Sequence, residues 1–147
     1  PIPVCLADFA YRIADTALTL WQNECAESYC CFEHFMIESR RGAGWHQFSG
    51  LSSPIVQWFS AYYRPGTLTT GFDAFVRHTD WAPDNSALNA TLDFTAAGRS
   101  TVLAVLQPGP KAVTASVPCT VTTRHDGLLE LTFALDAPCT VTISIHS

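Results

Sequence analysis

The sequence predicts an α+β protein: an N-terminal helical hairpin over residues 1–66, followed by an antiparallel β-sandwich-like domain over residues 67–147. Three observations carry this. Apolar residues at Phe9, Ala10, Ile13, Ala14, Ala17, Leu18 and Trp21 follow the three-and-four spacing of an amphipathic helix. After Gly66 the pattern changes to strict alternation, first in Leu88, Ala90, Leu92 and Phe94. Asp126-Gly127 then separates two more alternating runs, which is the mark of a tight strand–turn–strand connection.

The elements follow in order. The first helix is expected around Phe9 to Trp21. Between Asn23 and Gly50 periodicity is lost, and Arg40, Arg41, Gly42, Ala43 and Gly44 read as a solvated turn. Ser53 as cap and Pro54 at the first helical position open a second helix, with Ile55, Trp58, Phe59 and Tyr62 on one face and Pro65-Gly66 ending it. Asp126-Gly127 predicts a type I′ turn between Cys119–His125 and the inward set Leu129, Leu131, Phe133 and Leu135. Cys139, Val141, Ile143 and Ile145 continue that face. The pentapeptide Pro-Cys-Thr-Val-Thr occurs at Pro118 and again at Pro138, which predicts two similar strands in one sheet.

Composition limits function. The chain has 147 residues, room for one ordinary domain or a small β domain with a helical piece, and too few for a large enzyme barrel. It is 48% hydrophobic and only 14% charged, the balance of a folded chain. A net charge of −5 argues against nucleic acid, whose phosphates need clustered Lys and Arg. Residues 42–63 carry no Asp, Glu, Lys or Arg, yet their Gly, Ser, His, Gln and Pro content suits a buried or site-lining segment rather than a membrane span. The six cysteines, Cys5, Cys25, Cys30, Cys31, Cys119 and Cys139, lack the spacing of a secreted framework and read as mostly buried thiols in a reducing compartment, hence a cytoplasmic location. No basic and apolar leader opens the chain.

The chemistry-bearing residues concentrate between Glu24 and Ser53. Glu24, Glu27 and Glu33 supply carboxylates, and Tyr29, Trp45, His46, Gln47 and Phe48 supply the aromatic faces and hydrogen-bonding groups that suit a polyol. Glu27-Ser28-Tyr29, a Gly-containing loop, then His46-Gln47-Phe48-Ser49 and a helix resemble the last hairpin of the six-hairpin (α/α)-barrel glycoside hydrolases, the group of trehalases and mannosyl-oligosaccharide glucosidases. The resemblance spans residues 8–64. It implies an inverting mechanism in which Glu27 is the general base and Tyr29, His46, Gln47 and Phe48 line a sugar subsite. Trp45 joins them as a ligand residue because it lies beside glycines. Ser28 stands where that family has Asn, and Gly50 where an aromatic is common. An inverting hydrolase also needs a general acid about 6.5 to 9.5 Å from the base, and the resemblance would place it on a hairpin this chain lacks. The implied protein is therefore a C-terminal hydrolase fragment, inactive alone, with no cofactor and no metal.

Other readings stand beside this one. Glu27 reads equally as a solvated residue near a helix C-terminus. Cys25, Cys30, Cys31, His34 and His46 are weak zinc candidates, because adjacent cysteines cannot easily both reach one tetrahedral ion. A Cys–His nucleophile pair finds no support in the spacing. The alternative function is a non-catalytic carbohydrate-binding or protein-interaction β-sandwich module. Because two helices cannot close a core alone, the expected partners are carbohydrate together with either a missing N-terminal polypeptide or further copies in a homo-oligomer, with no nucleic acid and no membrane.

Overall fold

The computed structural model describes residues 6–47 and 49–147. Its two helices and ten strands form an α+β chain with an N-terminal helix, and the strands pair antiparallel in three sheets. Two compact units, Pro1–Phe59 and Ser60–Ser147, divide the chain inside the second helix. No helix among the described residues is long and apolar enough to cross a membrane.

In the first unit, α1 runs Leu6–Ser28 and buries Ala14 and Leu18 on one face and Glu24 further round the helix. The expected helix is therefore real and continues past Trp21. It stops where Tyr29 takes a left-handed conformation, φ 56°, with its N–H donating to the Cys25 carbonyl at 3.0 Å. Ser28 reinforces this end: its hydroxyl donates to the Glu24 carbonyl at 2.9 Å and accepts from the Cys30 N–H at 3.3 Å.

The stretch expected to be an aperiodic loop instead forms a hairpin of β1 (Phe32–Phe35) and β2 (Gly42–His46). Strands of four and five residues are too short to show a period, and the turn between them carries no Gly-containing signal. It closes through Met36 N–H to the Arg41 carbonyl at 3.0 Å and Arg40 N–H to the Met36 carbonyl at 2.8 Å, with Arg40 itself at φ 57°. Gly42 has a packing reason: any side chain there would collide with the Phe32 ring.

The second helix, α2, spans Ser49–Tyr63 and so begins before Ser53. Pro54 lies inside it rather than at its first position. That placement forgoes a bond to the Gly50 carbonyl. A β-hairpin thus stands between the helices, and no helix-to-helix hairpin exists. Ten strands against two helices do not fit a fragment of an (α/α) barrel, whose layers are helical hairpins, so the glycoside hydrolase resemblance is a local match and falls.

The second unit holds β3 (Thr67–Thr69), β4 (Ala74–Trp81), β5 (Leu88–Phe94), β6 (Gly98–Val105), β7 (Ala112–Ala115), β8 (Cys119–His125), β9 (Leu128–Leu135) and β10 (Cys139–His146). They build two four-stranded sheets, ordered β4-β5-β10-β7 and β3-β6-β9-β8. Both sheets feed one buried cluster: Leu88, Ala90, Leu92, Phe94, Val141, Ile143 and Ile145 from the first, Val102, Leu131 and Phe133 among those from the second. Phe94 and Phe133 meet across it with ring centroids 5.3 Å apart. Each of the Val, Leu, Ile and Phe side chains contributes about 1.5–3 kcal/mol through removal from water.

Two details depart from expectation. Of the turn residues Asp126 and Gly127 only Gly127 has positive φ, 94°, whereas a type I′ turn needs positive φ at both. A bulge between Thr123 and His125 absorbs the twist mismatch, and Gly127 is required because a Cβ there would sit 2.6 Å from the Leu106 carbonyl oxygen. The two Pro-Cys-Thr-Val-Thr words lie in different sheets: β8 is an edge strand, β10 is central between β5 and β7.

Candidate functional site

The carboxylate expected to be catalytic is held in an ion-pair strap. Glu24, on the inner side of α1, accepts from Arg41 Nε at 2.9 Å and Nη2 at 3.2 Å, and from the Gly42 N–H at 2.8 Å. Arg41 then reaches Glu27 through Nη1 at 2.6 Å. The Arg41 guanidinium, followed by the Gly42 N–H, holds the Glu24 carboxyl below its ordinary value of 4.5, and Glu24 in turn raises Arg41. Arg41, read from sequence as a solvated turn residue, is thus what fastens β2 to the last turns of α1. Glu27 is exposed and paired rather than poised over a pocket.

The other predicted site residues scatter over the hairpin surface. Tyr29 is 88% exposed and Trp45 is 74% exposed. His46 packs edge-on to Phe32 with centroids 5.0 Å apart, and Gln47 takes φ 55°. Phe48 lies outside the described residues. The thiols are half-buried rather than buried, and Cys5 lies outside the described residues. Burial first, then Cys31, pushes the Cys25 thiol up to about 11, so it stays protonated and unreactive at neutral pH. Among the described residues no three His, Cys, Asp or Glu side chains converge on a metal position.

Concavity occurs elsewhere on this unit. A cavity of about 630 Å³ lies between α1 and the hairpin turn, bounded by Asp15, Leu20 and Asn23 from the helix and by Met36, Ile37 and Arg40 from the turn. A second groove of about 350 Å³ runs along α1 past Phe9, Ile13 and Ala17 and shares Thr16 and Leu20 with the first. Phe9 is 53% exposed, Ile13 45% and Ile37 90%. The helix is therefore apolar on two opposite faces, one covered by its own unit and one facing outward. Sequence reading merged the two faces into a single stripe. A plot of positions 9, 13, 16 and 20 against 14, 18 and 21 around the helix axis would have separated them.

In the second unit, His125 locks the β8–β9 turn to the end of α2. Its Nε2 lies 2.6 Å from the Tyr62 carbonyl oxygen, its Nδ1 2.9 Å from that of Asp126, and its ring stacks on Tyr63 at 5.0 Å and 8°. Arg124 pairs with the buried Glu130 at 2.7 Å beside it. These contacts fasten the turn, beside a cavity of about 350 Å³ lined by Lys111, Thr123 and Asp126.

Comparison of the chain with protein-family models, with curated proteins and with solved structures gives no match.

Proposed function

We propose that this chain is a non-catalytic protein-interaction module, in which a β-sandwich scaffold formed by residues 60–147 accompanies a helix-and-hairpin unit whose α1 groove receives an apolar polypeptide segment. The sandwich reading is supported by the two sheets sharing one core. The observation that carries the interaction reading is the second apolar face of α1: Phe9 and Ile13 stand half in water opposite the buried Ala14 and Leu18. Apolar side chains at helical spacing on an open surface are what helix-in-groove recognition uses.

A fluorophore that brightens on apolar surfaces tests the groove. The dilute chain is expected to enhance its emission, and Ile13→Glu or Ile37→Glu is expected to remove most of that enhancement while far-UV circular dichroism stays unchanged. Emission that ignores both substitutions would end the groove reading.

Carbohydrate binding is a second reading because the aromatic side chains of Tyr29 and Trp45 are largely exposed. In that case oligosaccharide binding fails in Trp45→Ala and survives Ile13→Glu. The protein-interaction reading expects no oligosaccharide binding at all.

A further inference from the structure

Three cysteines meet at one reversal of the chain. Cys25 lies on the last turn of α1, Tyr29 turns the chain back in its left-handed conformation, and Cys30 and Cys31 lead into β1. The reversal brings the Cys25 sulfur across the turn, where its S–H donates to the Cys30 carbonyl oxygen at 3.3 Å. That oxygen belongs to the peptide unit that ends on the Cys31 Cα, so this Cα lies within about 6 Å of the Cys25 sulfur. Cross-linked cysteines have Cα atoms about 4.4–6.8 Å apart, and a sulfur already this close to the partner Cα has little distance left to cover.

The neighbours of Cys25 also separate the two possible partners. Cys31 acts on its thiol through both charge and side-chain contact, whereas Cys30 acts through charge alone and more weakly than Glu24. Cys30 and Cys31, adjacent in the chain, could close only a small strained ring. All three thiols are half-buried, so a small reagent can reach them.

We infer that Cys25 and Cys31 are a modification site, a thiol pair that closes to an internal disulfide by exchange with a small-molecule disulfide such as oxidised glutathione. Cys31 attacks as the thiolate; the reagent's S–S bond breaks and one thiolate leaves. Cys25 then gives its proton to solvent and attacks the Cys31 sulfur, and the second thiolate leaves as the mixed disulfide breaks. The protein is oxidised by two electrons and releases two protons, and the reagent is reduced to two thiols. Cys25, with its thiol pushed up to about 11, is a poor nucleophile toward a dissolved reagent. In the second step its target is a neighbour, and proximity offsets the small thiolate fraction. The product ties the start of β1 to α1, as the Arg41 and Gly42 contacts with Glu24 tie β2.

The full chain is equilibrated in glutathione buffers of rising oxidised-to-reduced ratio, and its remaining thiols are alkylated. Cleavage after Glu24, Glu27 and Glu33 then places Cys25 on residues 25–27 and Cys30 with Cys31 on residues 28–33. Mass spectrometry is expected to find these two peptides joined, to find the join intact in Cys30→Ser, and to lose it in Cys31→Ser. Half-joining is expected at a ratio about 10-fold lower for the folded chain than for the same chain in urea, because the fold supplies the approach. Cys25 and Cys31 alkylated at every ratio overturn the proposal. So do a join that survives Cys31→Ser, a Cys30–Cys31 bond that leaves Cys25 alkylated, glutathione retained without closure, and equal ratios in buffer and in urea.

Discussion

Within residues 60–147 the alternating runs of β5, β6, β9 and β10 meet across one core, whereas in the first unit α1 buries Ala14 and Leu18 and leaves Phe9 and Ile13 in water. The contrast follows from how each element presents apolar surface. A strand in a two-layer sheet offers one face, which the opposing sheet covers completely. A helix apolar on two faces needs two covers, and in α1 the Ala14 and Leu18 face is buried while Phe9 and Ile13 are exposed. The first unit adds directional charge contacts, Glu24–Arg41–Glu27, to a few buried apolar residues, whereas the second rests mainly on packing. On the proposed reading, the binding surface lies on the helix and hairpin.

The largest effect that would break this comparison lies at Phe133, fully buried where the two sheets meet. Phe133→Ala is expected to cost about 3–5 kcal/mol, read from urea unfolding. A loss under about 1 kcal/mol would mean that the sheets do not share a core.

A sharper version uses the repeated pentapeptide. Val141 in β10 is 0% exposed and Val121, its twin in β8, is 40% exposed. Val141→Ala should cost about 2–3 kcal/mol, since two methyl groups leave a closed core, and Val121→Ala under about 0.5 kcal/mol. Equal losses would contradict the assignment of one copy to a central strand and the other to an edge.

The smallest effect concerns the strap and depends on pH. Glu24 is depressed below 4.5 in the folded chain, so on acidification the unfolded chain takes up its proton first. Its contribution is present above about pH 4.5 and is lost as pH falls through the folded value. Glu24→Gln should therefore lower the thermal midpoint at pH 7, and the gap from the parent chain should close in strong acid. A gap that persists at low pH would show that shape, and not charge, fastens β2 to α1.

Much of the second unit was legible in the sequence because period-two alternation survives in any strand with one buried face. Leu88 to Phe94, Leu129 to Leu135 and Val141 to Ile145 read correctly for that reason. The sheet to which each strand belongs did not read: Pro118 and Pro138 open identical words, yet pairing with β9 alone or between β5 and β7 separates them. The type of the Asp126-Gly127 turn also escaped, since it depends on the bulge after Thr123 and on the Leu106 carbonyl lying against Gly127.

The sequence by itself determined a helix from its three-and-four spacing and a sheet-rich second half from its alternation. The tertiary structure alone decided that a β-hairpin separates the helices, that Arg41 captures both Glu24 and Glu27, and that α1 keeps an apolar face turned outward. The physical reason is range. Periodicity records which face a residue takes on its own element, but an ion pair across 17 residues and the cover over a helix face depend on which distant elements the folded chain brings together.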